Sequence, residues 1–320
     1  MQVANLNKNT NLESSTILDK AKSRRDSIVG VITANNKFSF GMGVVLLFAL
    51  IAIFAPLLTH YNPEATLVVG AHPPSAAHIL GTTAQGQDVL AQLMYGARIT
   101  LLVSFSAATG STLLQILFGL SSAYFGGVVD DVLSMIINIF LVLPGLPLTI
   151  VLASLASASG VSNNEVIITL VLLFTSWPYG ARVLRSQTLS LKEREFVSAA
   201  RASGETSLRI VFAEILPNEL ALVASAFVTT FVYAIGTEVA LEFLGLGDVT
   251  KSSWGVMLYW AQNGSALLTG KWWLFLPPGL CIAILCAALT FVNFGIDELA
   301  NPRLRRDLKL KPNKKQKAVA

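Results

Sequence analysis

Six strongly apolar stretches of this 320-residue chain contain no Asp, Glu, Lys or Arg: 38–63, 99–129, 132–164, 166–181, 220–237 and 272–296. Each is close to or longer than the roughly 18–20 apolar residues that a helix needs to cross about 30 Å of hydrocarbon. The pattern predicts an all-α membrane protein with six transmembrane helices, at about 38–58, 97–122, 132–157, 165–184, 216–244 and 273–295. The polar positions group between these runs. Residues 1–37, rich in Asn, Lys and Ser, lack the apolar content for a packed core and read as disordered at their start. The 59–96 connection is long, and Pro63, Pro73 and Pro74 argue for an irregular first half. Its second half, Gln87–Ile99, reads as a short amphipathic helix with Val89, Leu90, Leu93 and Met94 on the apolar face. Such a helix lies along the membrane interface or packs over the loop. No internal repeat stands out.

Composition agrees with lipid as the solvent. A charged fraction of 13%, a hydrophobic fraction of 53% and a mean hydropathy of +0.62 are wrong for a soluble domain, where about a quarter of residues are charged. The basic residues set the orientation. Of 23 Lys and Arg, six lie before the first span, six between 182 and 209 and eight after residue 302, leaving only Arg98, Lys251 and Lys271 elsewhere. With six spans these groups share one side, so both termini and the 182–215 loop are expected in the cytoplasm. That divides the chain into a cytoplasmic segment 1–37, a membrane domain 38–295 with an external 59–96 loop, and a basic tail 296–320. The net charge of +4 then reflects topology and anionic headgroups, with no nucleic acid as partner. The first span follows 37 polar residues and lacks a small-residue cleavage site, unlike a signal peptide. Cys281 and Cys286, five positions apart on the sixth span, face different sides of a helix and read as packing residues.

Candidate chemistry is sparse. The Gly264–Trp272 stretch superficially resembles a phosphate-binding loop. It has five residues between the glycines, Trp272 where a Ser or Thr would hold Mg²⁺, and an external location. No catalytic triad, HExxH or CxxC motif is present, and no cofactor is expected. His60, His72 and His78 share the external loop, as a weak metal site or as solvated side chains, and no metal is expected. Small residues are dense in the second to fourth spans, as close helix packing in lipid requires. Pro144 and Pro147 bracket Gly145 inside the third span, so a kink or break is expected, either lining a translocation path or as a simple bend. Glu238 and Glu242, spaced i, i+4 near the outer end of the fifth span, belong to the pathway or its gate, or are interfacial and solvated.

The most informative stretch is RVLRSQTLSLKEREFVSAARASGETSLRIVFAEILP, residues 182–217. Lys192–Ser203 can form an amphipathic helix with Phe196, Ala199, Ala200 and Ser203 on one face, small enough at the alanines to enter a groove on a partner. Gly204 can end that helix in a left-handed conformation. Leu216-Pro217 then opens the fifth span, where the missing N–H of a proline is harmless. The spacing Ser198-Ala199-Ala200, Gly204, Ile215-Leu216-Pro217 resembles the EAA loop of ABC-importer permeases, the segment that docks onto an ATPase subunit.

Other stretches narrow the resemblance to the dipeptide/oligopeptide/nickel importer permeases, and to the second of their two membrane subunits. They include His78-Ile-Leu-Gly81-Thr82, Gly86-Gln-Asp88, Tyr95-Gly96-Ala97-Arg98, Ala123-Tyr-Phe-Gly126-Gly127 with Asp130, Glu238 with Phe243-Leu-Gly-Leu-Gly247, Ser253-Trp254-Gly255 and Asn301-Pro302-Arg303-Leu304. They follow one another in a consistent order over about residues 78–304. Ser198 stands where the family usually has Glu, Glu214 where His is common, Thr83 and Gln87 in place of Asp and Arg, and Glu242 in place of Ser. The resemblance implies a type I ABC importer permease fold and a non-catalytic pore subunit. The implied partners are a second homologous permease, two ATPase subunits and an extracytoplasmic substrate-binding protein. Peptides are the expected cargo, with oligosaccharide or nickel as alternatives and a stand-alone secondary transporter or channel as the rival class.

Overall fold

The computed structural model describes residues 36–158 and 164–300. Most of the polar N-terminal segment and the basic tail, with the Asn301–Leu304 match, lie outside the described residues. Among the described residues, ten helices carry the fold. They are α1 (Asn36–Leu58), α2 (Val89–Phe125), α3 (Gly127–Val142), α4 (Gly145–Ala158), α5 (Asn164–Thr175), α6 (Pro178–Lys192), α7 (Glu195–Ala202), α8 (Ser207–Phe243), α9 (Trp254–Asn263) and α10 (Leu276–Ala300). Five continuous apolar spans are α1, α2, the α5–α6 run, α8 and α10. The sixth is broken, because α3 and α4 meet at 91° across Leu143-Pro144. Since α2 ends beside α7 and α5 begins beside the α8–α9 connection, α3 and α4 together must make the remaining crossing.

The second span starts earlier than expected. No separate helix covers 87–99; α2 runs unbroken for 37 residues from Val89, about 55 Å at 1.5 Å per residue. Asp88 caps it by accepting from the Ala91 amide at 2.8 Å and is held in turn by His78 Nδ1 at 2.8 Å. Gly96 does not interrupt it, because the absent side chain makes room for the buried Trp254, whose indole donates to the Leu93 carbonyl at 3.0 Å.

Backbone proximity at glycine organises the bundle. At Gly41 a Cβ would meet the Ala288 carbonyl at 2.5 Å, so α1 crosses α10 almost backbone to backbone. At Gly119 it would meet the Ala181 carbonyl at 2.7 Å, joining α2 to α6. Without a hydrophobic drive between helices in lipid, this proximity is the main source of packing energy. Phe48, Phe231, Ile235, Trp254, Trp273 and Leu285 form the principal core between α1, α2, α8, α9 and α10. Cys281 and Cys286 are free thiols, half-buried on α10.

Candidate functional site

At one end of the bundle the chain turns out of α6, forms the two-turn α7 and re-enters through α8. Arg194, in an extended conformation, starts α7, so the helix begins at Glu195 and not at Lys192. The Arg194 amide instead closes a turn by donating to the Leu191 carbonyl at 3.0 Å. Glu195 in the first turn and Arg201 in the last complement the helix dipole. The helix ends in a Schellman motif: the Glu205 amide donates to the Ala200 carbonyl at 3.2 Å and the Gly204 amide to the Arg201 carbonyl at 3.0 Å. Gly204 has φ +78°, the left-handed conformation its sequence position suggests.

What seats α7 is Val197, which is 0% exposed. It inserts among Leu120 and Tyr124 of α2, Leu184 of α6 and Ile210, Val211 and Ile215 of α8. Ala200 and Leu216 pack half-buried against the same cluster, so Ala200 faces inward and not outward. Phe196, Ser198, Ala199, Ser203 and Gly204 are exposed, leaving a small, mildly apolar surface on the outer side of α7. Arg201 lies over the Tyr124 ring at 5.5 Å, and Lys192 Nζ donates to the Ala123 carbonyl at 3.1 Å. Next to them Arg185 of α6 grips Asp130 of α3 through two hydrogen bonds of 2.7 Å each, and Ser134 adds a third to Asp130 at 2.8 Å. The loop is thereby tied to three membrane helices.

Pro217 stands in the first turn of the α-helical stretch Leu216–Phe243, where its missing N–H is harmless, but that stretch is not the start of the span. The fifth span reaches back to Ser207, and residues Ile210–Ile215 form a wide π-helical turn immediately before the proline. A wider turn relieves the clash between the proline ring and the preceding carbonyls, and Asn218 Nδ2 takes the Glu214 carbonyl at 2.6 Å. The result is one continuous helix from the foot of α7 to the far end of the bundle.

At that far end Glu238 and Glu242 are 0% and 3% exposed, so neither is an interfacial, solvated carboxylate. Glu242 accepts from Ser253 Oγ, and the same hydroxyl caps α9 by accepting from the Val256 amide at 3.1 Å. Glu238 stands beside Thr100 of α2, and neither of its oxygens has a hydrogen-bond partner among the described residues. Glu165 lies nearby, 3.9 Å from Lys251. A third buried carboxylate, Glu219, accepts from Thr188 at 2.8 Å and joins α8 to α6. It lies near the start of the predicted fifth span, just before the uncharged run 220–237, where nothing in the charge pattern distinguishes a buried carboxylate from an interfacial one. Buried ionisable groups are therefore more numerous in the spans than hydropathy implies.

Removing the acceptor at Glu242 has a defined cost. Glu242→Ala leaves the proton of the buried Ser253 hydroxyl without its acceptor, which is expected to destabilise the α8–α9 junction by about 1–3 kcal/mol. Glu242→Gln keeps an acceptor oxygen and should lose less, and Glu238→Gln with Glu242→Gln should still copurify as a complex. Thermal unfolding of the two Glu242 variants in detergent checks this; equal midpoints would show that the Ser253 hydrogen bond contributes nothing.

Pro144 stands at the α3–α4 break, and Pro147 lies in the first turn of α4. Both prolines are exposed, whereas Glu238 and Glu242 are buried. Among the described residues, no group of three or more His, Cys, Asp or Glu is arranged to hold a metal ion.

The comparisons with known proteins agree with this architecture. Residues 115–306 match the family described as binding-protein-dependent transport system inner membrane component, and residues 33–74 match the N-terminal TM domain of oligopeptide transport permease C. The dipeptide transport system permease protein DppC of Bacillus subtilis is 32% identical over 304 residues, covering 94% of this chain and 92% of that protein. DppC of Alkalihalophilus pseudofirmus is 34% identical, covering 83% of this chain and 85% of that protein. A chain of the MetNI methionine ABC transporter in an inward-facing conformation shares the fold, with a TM-score of 0.51 and 20% identity over 65% of this chain and 94% of that one. The chain therefore belongs to the binding-protein-dependent family of ABC-importer permeases, on the branch that carries the N-terminal domain of oligopeptide permease C.

Proposed function

We propose that this chain is one of two pore-forming subunits of an ATP-driven importer of di- or oligopeptides in a bacterial plasma membrane, and that α7 is the element through which ATPase subunits move it. The observation that carries this reading is the two-sidedness of α7. One side is locked into the bundle by Val197, while Phe196, Ala199 and Ser203 lie on its exposed side, with small side chains at Ala199 and Ser203. Such a surface fits a shallow groove, and the continuous helix α8 carries its displacement to the opposite end of the bundle. The relatives named for dipeptide and oligopeptide transport support the peptide cargo. The clustering of basic residues supports a cytoplasmic location for both termini and for α7.

In this reading the chain hydrolyses no ATP itself. Two ATPase subunits bind one permease each, an extracytoplasmic binding protein delivers the peptide, and the two permeases alternate between outward and inward openings. Copurification tests it: the tagged chain should bring down a second permease and ATPases in stoichiometric amounts, and the isolated chain should have no ATPase activity. A chain that transports alone in reconstituted vesicles, driven by an ion gradient, would overturn the proposal in favour of a secondary transporter.

A further inference from the structure

Two helix interruptions meet against α8. The α3–α4 break leaves Phe140 without the N–H that Pro144 cannot supply. The α5–α6 joint at Ser176-Trp177 precedes Pro178, and the Trp177 indole takes over the Phe174 carbonyl at 3.0 Å. Between them, α8 presents Thr229 and Tyr233 one turn apart. These elements enclose a crevice of ≈ 320 Å³ that opens on the side of the bundle. Tyr179 at its mouth is 66% exposed and Tyr233 is 42% exposed. A Cβ on Gly145 would meet Tyr233 Oη at 2.8 Å, so the tyrosine hydroxyl sits directly over the helix break.

The chemistry of the lining is specific. Its polar groups are all uncharged: the hydroxyls of Thr175, Ser176, Tyr179, Thr229, Thr230 and Tyr233. Ser176 Oγ is buried with no hydrogen-bond partner among the described residues. Thr230 accepts from Gln115 Nε2 at 2.8 Å, which holds α2 behind the crevice. The Thr175 and Thr229 hydroxyls already donate to the Val171 and Ser225 carbonyls of their own helices, at 2.7 Å and 2.9 Å, so the hydroxyls that would be left unsatisfied in hydrocarbon are those of the exposed Tyr179 and Tyr233. Two such groups beside a helix break suit this side of the bundle to a water-filled or protein-covered space and not to lipid acyl chains. Hydroxyls both donate and accept, as the N–H and C=O of a peptide bond require. The absence of charge leaves nothing to select for or against a charged cargo side chain.

We propose that this crevice is this subunit's contribution to the cargo path, and that it holds the peptide backbone through the Tyr179 and Tyr233 hydroxyls, with Ser176 and Thr229 in its wall, without reading side-chain charge. The proposal rests on the importer reading above and adds to it the contact residues and the basis of cargo tolerance. None of these four residues stands out in the sequence, where single hydroxyls within apolar spans look like packing.

The test uses the whole complex. With Cys281 and Cys286 replaced by serine, Thr229→Cys and Tyr233→Cys are introduced singly and exposed in lipid nanodiscs to a membrane-impermeant sulfonated maleimide. Both positions should be labelled, and saturating trialanine should slow the labelling at least about threefold, the protection expected of a ligand that occupies the site most of the time. In vesicles, Tyr233→Phe and Tyr179→Phe should raise the KM for trialanine, Ala-Lys-Ala and Ala-Glu-Ala by similar factors, with kcat little changed. Failure of labelling would place the crevice under the second permease or lipid and overturn the proposal. Labelling without protection by any of the three peptides would overturn it as well, as would KM effects confined to the charged ones. If the parent complex takes up peptide while either of these results holds, only this inference fails. If the parent takes up no peptide, the peptide-import reading fails with it.

Discussion

Ala199→Arg is expected to reduce transport by at least about tenfold, equivalent to ~1.4 kcal/mol of lost docking free energy, while leaving the fold of the subunit intact. Ala199 is exposed on α7, one turn from Phe196 and Ser203, so a long charged side chain there meets no part of the described chain. Its effect must therefore come from what α7 docks against. Ala200→Arg is a different experiment, because Ala200 packs half-buried on the Val197 cluster and a charge there would also unseat the helix. Gly204→Val separates geometry from contact. No atom lies within 4 Å of the added Cβ, so the cost is the backbone strain of a β-branched residue at φ +78°, on the order of 1–2 kcal/mol. Pull-down of the ATPases, ATP hydrolysis and uptake in reconstituted vesicles should all fall for Ala199→Arg, with an unchanged unfolding midpoint of the subunit. Normal transport by this variant would remove α7 from the coupling role.

The second large effect is expected at Gly119, where α2 and α6 meet. A Cβ there would lie 2.7 Å from the Ala181 carbonyl, 3.0 Å from Leu184 Cβ and 3.3 Å from the Arg185 amide. Two of these neighbours are backbone and cannot rotate away, so Gly119→Leu must separate the helices. Overpacking of this kind costs about 3 kcal/mol or more. Separation would also pull Leu184 and Arg185 from the Val197 cluster and from Asp130. The variant should yield little folded complex. Gly43→Leu is the matched control, since nothing lies within 4 Å of its Cβ on α1. Comparable yields and unfolding midpoints for the two would show that α2–α6 proximity is not a stability determinant.

The residues that were legible in the sequence and those that were not differ in physical kind. Gly204 was readable because a left-handed turn after a short helix is a local demand, met by one residue without help from elsewhere. The break at Pro144 was readable for the same reason, although its size, 91°, was not. Val197 was not readable as the anchor of α7. The periodicity of eight residues allows either face to be buried, and only the position of Leu120, Leu184 and Ile210 decides between them. That choice also turned Ala200 inward. The start of α7 moved to Glu195 because the Arg194 amide closed a turn, an option the apolar spacing does not encode.

Hydropathy alone determined that the chain is a helical membrane protein and where five of its six crossings lie, because burying uncharged runs in hydrocarbon is a property of composition and length. The order of short motifs determined the family. Tertiary structure decided the rest. It joined 87–99 to the second span through the Asp88 cap, and carried the fifth span back to Ser207 through a π turn. It also buried Glu219, Glu238 and Glu242, and brought Ser176, Thr229 and Tyr233 around one crevice. These outcomes depend on contacts between residues tens of positions apart. A side chain's place between lipid, water and protein is set by its neighbours in space, which the linear pattern of apolar and polar residues does not specify.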